Sequence, residues 1–144
     1  MEEKLKYIVR VTSTDLEGSK SLIHGLRKIK GVSYSFSNAI CSSLNLDKNQ
    51  KVGLLSKEQV SEIESAIKHP LSRKIPSWML NRRKDYSTGQ DKHLNSIDLK
   101  LQKDFDIKRL RKIKSYKGFR HAAGLPVRGQ RTKAHFRHGA AVGV

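Results

Sequence analysis

The chain of 144 residues is long enough for one domain, or for one small domain with appendages. It carries 30 Lys and Arg residues against 13 Asp and Glu residues, and the resulting net charge of +17 implies a polyanionic partner. Only 36% of the residues are apolar, so the core must be small. The single cysteine, Cys41, excludes an internal disulfide and a cysteine-rich zinc cluster.

No apolar stretch approaches the roughly 18 to 20 residues that would span a bilayer. The first residues, Met1–Lys4, lack the basic start and the apolar core of a secretion signal. We therefore expect a cytoplasmic protein that has no membrane partner.

The positive charge is concentrated toward the C-terminus. Residues 1–68 have a net charge of +3 and residues 69–108 one of +4, whereas residues 109–144 hold 10 basic groups and no acidic group. A segment without carboxylates cannot form internal salt bridges, and its self-repulsion favours an extended chain until phosphates neutralise it. The last third of the chain therefore requires an external partner.

Residues 1–73 are predicted to form a helical domain. Tyr7–Val11 is a short apolar run with β-branched side chains, which indicates a small strand or an extended lead-in to the first helix. Three helices follow, with apolar positions at helical spacing: Leu22, Ile23, Leu26 and Ile29 in the first, Phe36, Ala39, Ile40 and Leu44 in the second, and Val60, Ile63 and Ile67 in the third. Gly31 predicts the end of the first helix.

The start and end of the third helix have clear local signals. Ser56 is placed as its N-cap, with Gln59 three residues later as the partner in a capping box. Leu55 and Val60 have the spacing of a hydrophobic staple. The helix is predicted to end before His69–Pro70, because the residue that precedes a proline avoids the helical region.

The remaining residues are predicted to form three further segments. In residues 74–96, Trp78, Leu80 and Tyr86 alternate with polar residues, which predicts a β-hairpin insertion. Residues 97–122 predict a long helix and a short following helix, and the apolar positions of the long helix drift around its axis. Residues 123–144 predict an extended basic tail. The fold class is thus mainly α, and we expect residues 115–144 to be largely disordered without a partner.

Three features of the sequence invite a catalytic or metal-binding interpretation. Gly124–Gly129 has the glycine spacing of a phosphate loop, but Gln130 stands where that loop needs a lysine, and Pro126 removes one amide. His135 and His138 have no carboxylate or cysteine nearby to complete a metal site. Cys41 borders an apolar helical face, which indicates a buried thiol. We expect no enzymatic activity, no metal and no cofactor.

Two basic segments could bind phosphate. A glycine turn at Lys28–Ser33 lies between two helices, and such a turn aims backbone amides and flanking lysines outward. The alternative is a helix cap with solvated lysines. The run Arg82–Lys84 lies near Trp78 and Tyr86, a mixture typical of RNA-binding surfaces, although a charged hairpin face in water explains it equally well.

The tail carries the most specific pattern. Ser115–His121 and then Gly124–Lys133 are very similar to the signature of the universal small-subunit ribosomal protein thirteen family, called protein eighteen in eukaryotes. The resemblance runs nearly end to end, and four further segments resemble its archaeal and eukaryotic branch: Ile8–Arg10, Thr14–Gly18, Lys30–Val32 and Ile75–Asp85. Ser33 departs from the pattern, because the family often has a second glycine there.

The resemblance implies a helix-two-turns-helix fold and a structural place in the small-subunit head. The implied partners are small-subunit ribosomal RNA, small-subunit ribosomal protein nineteen, and, at intersubunit bridges, large-subunit ribosomal protein five and large-subunit RNA. Transfer RNA in the peptidyl site is a further implied partner. The residues expected to bind ribosomal RNA are Lys28, Lys30, Gly31, Ser33, Arg82, Arg83, Lys84, Arg109, Lys117, Arg120, His121, Arg128, Gln130, Arg131 and Thr132. Those expected to contact transfer RNA are Lys133, Arg137 and His138.

Two alternatives from other classes remain at this point. A DNA-repair glycosylase can use the same helix-two-turns-helix element, but its chemistry needs an N-terminal proline amine, and here Met1 is followed by Glu2 and Glu3. A basic nucleic-acid packing protein is compatible with the net charge of +17 and the small size.

Overall fold

The computed structural model describes residues 5–133. The chain divides into two compact units, Met1–Leu99 and Lys100–Val144. Two strands and five α-helices occur in the described residues: β1 (Ile8–Val11), β2 (Thr14–Glu17), α1 (Leu22–Leu26), α2 (Tyr34–Ser43), α3 (Lys57–Lys68), α4 (Ser96–Lys112) and α5 (Tyr116–Ala122). Short 3-10 turns lie at Val52–Leu54, Pro70–Arg73 and Ser77–Met79. The prediction of a mainly helical fold is confirmed.

The two strands form an antiparallel hairpin, with Ile8 opposite Glu17 and Val11 opposite Thr14. The run that could be a strand or a lead-in is therefore a strand, and its partner β2 was not predicted. Thr12 takes a positive φ of 53° in the tight turn between the strands. Its backbone N–H donates to the Glu64 carboxylate at 2.6 Å, which fastens the hairpin to α3.

The core of the first unit lies between this hairpin and helices α1 to α3. Its fully buried side chains include most of the apolar positions predicted from helical spacing: Leu22, Leu26, Ile29, Phe36, Ile40, Ile63 and Ile67. Burying each such side chain contributes roughly 1.5 to 3 kcal/mol. Cys41 is fully buried among them, and burial raises the pKa of its thiol.

Helix α3 begins as predicted. The Gln59 N–H donates to the Ser56 hydroxyl at 3.1 Å, and the Ser56 N–H donates to the Gln59 side-chain oxygen at 3.0 Å. The predicted capping box is therefore confirmed. The helix ends at Lys68, directly before His69–Pro70. Between α2 and α3 the chain makes a turn after Leu44 and then the 3-10 turn Val52–Leu54, which gives the implied helix, two turns and helix.

The first helix is shorter than its apolar pattern predicts. It ends at Leu26, and the following backbone bonds, from Ile29 N–H to the Leu26 carbonyl and from Val32 N–H to the Ile29 carbonyl, span three residues each. Such bonds close tight turns, and the second turn includes Gly31 with its positive φ. Ile29 lies within these turns and stays fully buried.

The insertion at 74–96 reverses direction as predicted but forms no regular strands. Arg82 and Lys92 make an isolated antiparallel bridge, with N–H to carbonyl distances of 3.2 and 2.8 Å. The expected strand around Trp78 is replaced by the 3-10 turn Ser77–Met79. The alternation of apolar and polar residues therefore reflects a looped segment that buries Leu80 and exposes Trp78.

Helix α4 has no buried residue, and α5 follows it within the second unit. The Ser115 hydroxyl caps α5 by accepting from the Gly118 N–H at 3.1 Å. An added Cβ on Gly118 would overlap the Leu110 carbonyl oxygen, so only glycine lets α5 pack this closely on α4. No helix within residues 5–133 is long and apolar enough to cross a bilayer.

Candidate nucleic-acid interface

The turn between α1 and α2 brings several cations to the beginning of a helix. Arg27, Lys28 and Lys30 are exposed, and Gly31 makes the reversal with a φ of +101°. Helix α2 has ten residues and no acidic residue in its first turn. Its N-terminal amides and dipole therefore favour an anion. We call Arg27, Lys28, Lys30 and the first turn of α2 the turn surface.

Arg27 is a member of this surface that the sequence did not identify. Its guanidinium lies 5.5 Å from the ring centroid of Tyr34, the first residue of α2. His24 makes an edge-to-face contact with the same ring, with centroids 5.7 Å apart. The sequence signal for Arg27 is Tyr34, the aromatic residue that begins α2. An arginine that stacks on an aromatic ring keeps its hydrogen-bond donors directed outward.

Lys28 and Lys30 have different surroundings. The Lys28 ammonium lies 3.9 Å from the Glu17 carboxylate, whose closer partner is Lys20 at 3.0 Å. The hydrogen bond from Lys20 holds the pKa of Glu17 below its ordinary value. Lys30 makes no ion pair within the described residues. Both lysines are thus available to phosphate, because the long contact of Lys28 is exposed and weak.

Gly31 and Ser33 have structural functions in this turn. An added Cβ on Gly31 would lie 2.5 Å from the Leu94 carbonyl oxygen, so the bare side of this glycine faces the insertion and not solvent. The Ser96 N–H also donates to the Lys30 carbonyl at 2.8 Å. Ser33 is the N-cap of α2, and its hydroxyl accepts from the Phe36 N–H at 3.3 Å.

The three adjacent basic residues of the insertion, Arg82, Arg83 and Lys84, do not share one direction. The Arg82 guanidinium donates to the buried Asp85 carboxylate at 2.6 Å, and Lys92 binds the same carboxylate at 3.2 Å. The hydrogen bond from Arg82 holds the pKa of Asp85 well below its ordinary range. Arg83 and Lys84 are the less enclosed pair, so these two form the outward cations of this segment.

Two arginines of the second unit hold its own backbone. The Arg111 guanidinium donates to the His121 carbonyl at 3.0 Å, and Arg120 donates to the Pro126 carbonyl at 2.9 Å. The Arg120 guanidinium also lies 6.0 Å from the centroid of the Tyr116 ring. Among the residues of this unit that are expected to bind RNA, Arg109, Arg120 and His121 are half-buried. The exposed ones are Lys117, Arg128, Gln130, Arg131 and Thr132.

The end of the tail is only partly described. Lys133 is exposed, whereas Arg137 and His138 lie outside the described residues, as does His135. The described residues contain no group of three or more His, Cys, Asp or Glu side chains that could hold a metal ion.

Comparison with known proteins identifies the family. The family model described as ribosomal protein S13/S18 matches residues 10–138. A small ribosomal subunit protein uS13 from Methanothermobacter thermautotrophicus is 51% identical over 144 residues, covering 100% of this chain and 97% of the relative. The protein of the same name from Methanocaldococcus jannaschii is 50% identical, covering 98% and 94%. That from Nanoarchaeum equitans is 47% identical, covering 99% and 93%. Since the match extends over nearly the whole chain, this protein belongs to the ribosomal protein S13/S18 family.

Proposed function

We propose that this protein binds ribosomal RNA in the head of the small ribosomal subunit. As a member of this ribosomal protein family, the protein is a structural, non-enzymatic component of the cytoplasmic ribosome. The relatives are named small ribosomal subunit proteins. The net charge of +17 supports a nucleic-acid partner, because phosphate neutralisation dominates such binding.

The observation that carries the proposal is the turn surface. Three exposed cations lie at the beginning of a ten-residue helix whose first turn has no carboxylate. A helix N-terminus supplies backbone donors to a phosphate, and the lysines add charge that does not depend on base sequence. The turn is also held in place from behind, since Ser96 donates to the Lys30 carbonyl. A phosphate would therefore bind a preorganised site.

The test replaces Lys28 and Lys30 together with Ala and measures affinity for head-domain ribosomal RNA at several salt concentrations. If each lysine neutralises a phosphate, the slope of log affinity against log salt falls by roughly 1.4 to 1.8. Folding should be retained, because only the Lys30 backbone, and not its side chain, bonds to Ser96.

The matched control is the pair Lys57→Ala and Lys68→Ala on α3. It removes the same charge from two exposed lysines that have no ion pair within the described residues. An equal loss of affinity in both double variants would mean that the turn surface is not a specific phosphate site and contributes only to the overall positive charge.

For the tail, we propose contacts with peptidyl-site transfer RNA and with the large subunit. The residues are Lys133, Arg137 and His138, and the proposal rests on the family resemblance and on the absence of acidic residues after Asp106. Partners at these contacts would be small-subunit protein nineteen, large-subunit protein five and large-subunit RNA. A chain that ends at Thr132 should assemble into small subunits but should join large subunits and retain transfer RNA less well. Normal subunit joining and transfer RNA retention would contradict this proposal.

A general packing protein is the alternative that can be separated directly. Such a protein binds by exposed charge alone and washes off as salt rises. A constituent of the subunit, whose contacts are closed over by RNA, should co-sediment with ribosomes in high salt. The DNA-repair alternative has lost its basis, because the chain belongs to a ribosomal protein family.

A further inference from the structure

Trp78 is exposed although Ile75 and Leu80, the apolar residues that anchor its segment, are buried. Its relative exposure is 68%, whereas Ile75 and Leu80 on either side are 3% and 6% exposed. An exposed indole forgoes the large hydrophobic gain that a tryptophan normally obtains from burial. The fold therefore anchors the segment through its neighbours and leaves the indole available to a partner.

The backbone that carries Trp78 is ordered without a partner. Pro76 precedes the 3-10 turn Ser77–Met79, and the Met79 and Leu80 N–H groups donate to the Pro76 and Ser77 carbonyls at 3.0 and 3.1 Å. Because the turn is already formed, a ligand that binds Trp78 need not supply the entropy of ordering it.

Two cations lie beside this turn. A cleft of about 460 Å³ is lined by Ser77, Arg83, Lys84 and Asp91, so the residue next to Trp78 shares a cleft with both outward cations. The Lys84 N–H donates to the Asp91 carboxylate at 2.7 Å, which fixes the backbone from which both cations project. Neither Arg83 nor Lys84 makes an ion pair in the described part of the chain.

We propose that Trp78 stacks on an unpaired RNA base while Arg83 and Lys84 hold the adjacent phosphates. The inference rests on the proposed RNA-binding function and adds a specific contact to it. Unpaired bases are recognised by stacking on aromatic side chains, and the neighbouring backbone follows positive charge. The charge complementarity of Arg83 and Lys84 favours a nucleic acid over an apolar protein surface at this position.

The chain offers a direct reporter, since Trp78 is its only tryptophan. The full-length protein is titrated with a short oligouridylate and, separately, with inorganic polyphosphate, which has the charge but no bases. The emission of Trp78 should be quenched by the oligouridylate and unchanged by polyphosphate. If labelled oligouridylate binds without quenching, the stacking proposal is overturned while the proposed function stands. If head-domain RNA does not bind at all, the proposed function itself fails.

Variants give a second readout. Trp78→Leu should bind oligouridylate about 5- to 140-fold more weakly, the range expected for loss of one stacked base. Trp78→Phe keeps an aromatic face, so its affinity for oligouridylate should lie between those of the original protein and Trp78→Leu. The affinity for polyphosphate should be unchanged in both variants. The control Tyr7→Leu removes another exposed aromatic ring, one on the N-terminal side of β1. Wild-type oligouridylate affinity in Trp78→Leu, or an equal loss in Tyr7→Leu, would refute the proposal.

Discussion

The imidazole of His93 lies flat on the ring of Phe36, with ring centroids 3.9 Å apart and planes inclined by 13°. Phe36 belongs to α2 and is fully buried, so the stack fastens the returning arm of the insertion to the core. His93 is only 9% exposed, and neither ring nitrogen has a hydrogen-bond partner in the described part of the chain. This packing therefore requires His93 to be neutral, because a buried imidazolium would have no partner for its charge.

The first prediction concerns pH. Burial lowers the pKa of His93 from 6.5 to about 4, so between these values the unfolded chain binds the proton more readily than the folded protein. Stability should fall as pH decreases from about 6.5 to about 4, by about 3 kcal/mol from this residue, and then level off. Urea unfolding across this range measures the effect.

The matching variant is His93→Phe. It keeps an aromatic ring stacked on Phe36 and removes the two ring nitrogens that have no hydrogen-bond partner. Its free energy of unfolding should depend less on pH between 4 and 6.5. At neutral pH it should be at least as stable as the original protein, because the buried polar nitrogens are gone. The same pH slope in both proteins would show that His93 is not the titrating group.

The second prediction concerns the packing of the insertion on the turn. Gly31→Ala places a Cβ at a φ of +101° and 2.5 Å from the Leu94 carbonyl oxygen. We expect a loss of roughly 2 to 4 kcal/mol in the free energy of unfolding, from backbone strain and steric overlap together. Gly89→Ala is the control, since Gly89 also has a positive φ, +69°, but no atom lies within 4 Å of its added Cβ. It should cost only about 1 kcal/mol. Equal losses measured by denaturant unfolding would mean that the overlap with Leu94 is unimportant.

Features that depend only on residues close together in the chain can be predicted from the sequence. The capping box of α3 requires only Ser56 and Gln59, and the structure forms both of its bonds. Strand β2 was missed because Leu16 is its only apolar residue, so no alternation marks it, and it becomes a strand only by pairing with β1. Pairing of this kind is decided by tertiary context.

The candidate interface shows the same division. The charge of the Lys28–Ser33 turn can be read from its composition. The contact of Gly31 with Leu94 cannot, because it joins residues that are far apart in the chain. The inward direction of Arg82 was in principle readable, because its partner Asp85 is only three residues away. Adjacency in the sequence suggests one basic group, Arg82–Lys84, but it does not reveal which of these side chains a buried carboxylate will hold.

The third prediction concerns that carboxylate. Asp85→Asn removes the charge that Arg82 and Lys92 share and weakens the bonds from Ser87 and Thr88. Amide exchange should become faster at Arg82 and Lys92, whose N–H groups close the antiparallel bridge, while exchange in α2 and α3 stays unchanged. The control is Asp15→Asn, which breaks only an exposed ion pair of 3.9 Å with Arg10. Unchanged exchange at the bridge would show that the ion pairs do not hold the insertion.

Protonation of Asp85 should also destabilise the protein, but at a lower pH than protonation of His93. The hydrogen bond from Arg82 lowers the pKa of Asp85 in the folded protein, so its contribution to stability is present above the ordinary aspartate pKa of about 4 and is lost as pH falls below it. The two losses therefore occupy successive pH ranges. Asp85→Asn should abolish the lower one and leave the His93 range intact.

The fourth prediction concerns order in the second unit. The composition predicts a largely disordered chain from residue 115, whereas the structure forms α5 with a serine cap and a close approach of Gly118 to the Leu110 backbone. This helix has seven residues, and its Tyr116 and Phe119 rings are exposed, so little apolar burial supports it. We expect weak amide protection from Gly118 to Arg131 in the free protein and strong protection in the assembled subunit. Strong protection without RNA would mean that this segment is stable by itself.

The last prediction separates folding from RNA binding. Within the described residues, the hydrophobic core lies between Val9 and Leu80, so a chain that ends at Lys114 keeps all of it. The truncation removes six basic residues and no acidic residue: Lys117, Arg120, Arg128, Arg131, Lys133 and Arg137. Thermal unfolding should remain cooperative with nearly the same midpoint, while affinity for head-domain RNA falls. The slope of log affinity against log salt should become shallower by roughly 0.7 to 0.9 for each phosphate that the shortened chain no longer neutralises. A matched variant with the same six residues changed to Gln in the full chain tests whether charge or chain length is responsible. If the truncated chain unfolds without cooperativity, the second unit supports the core. If it binds RNA with the original salt dependence, the tail is not the electrostatic arm that its charge indicates.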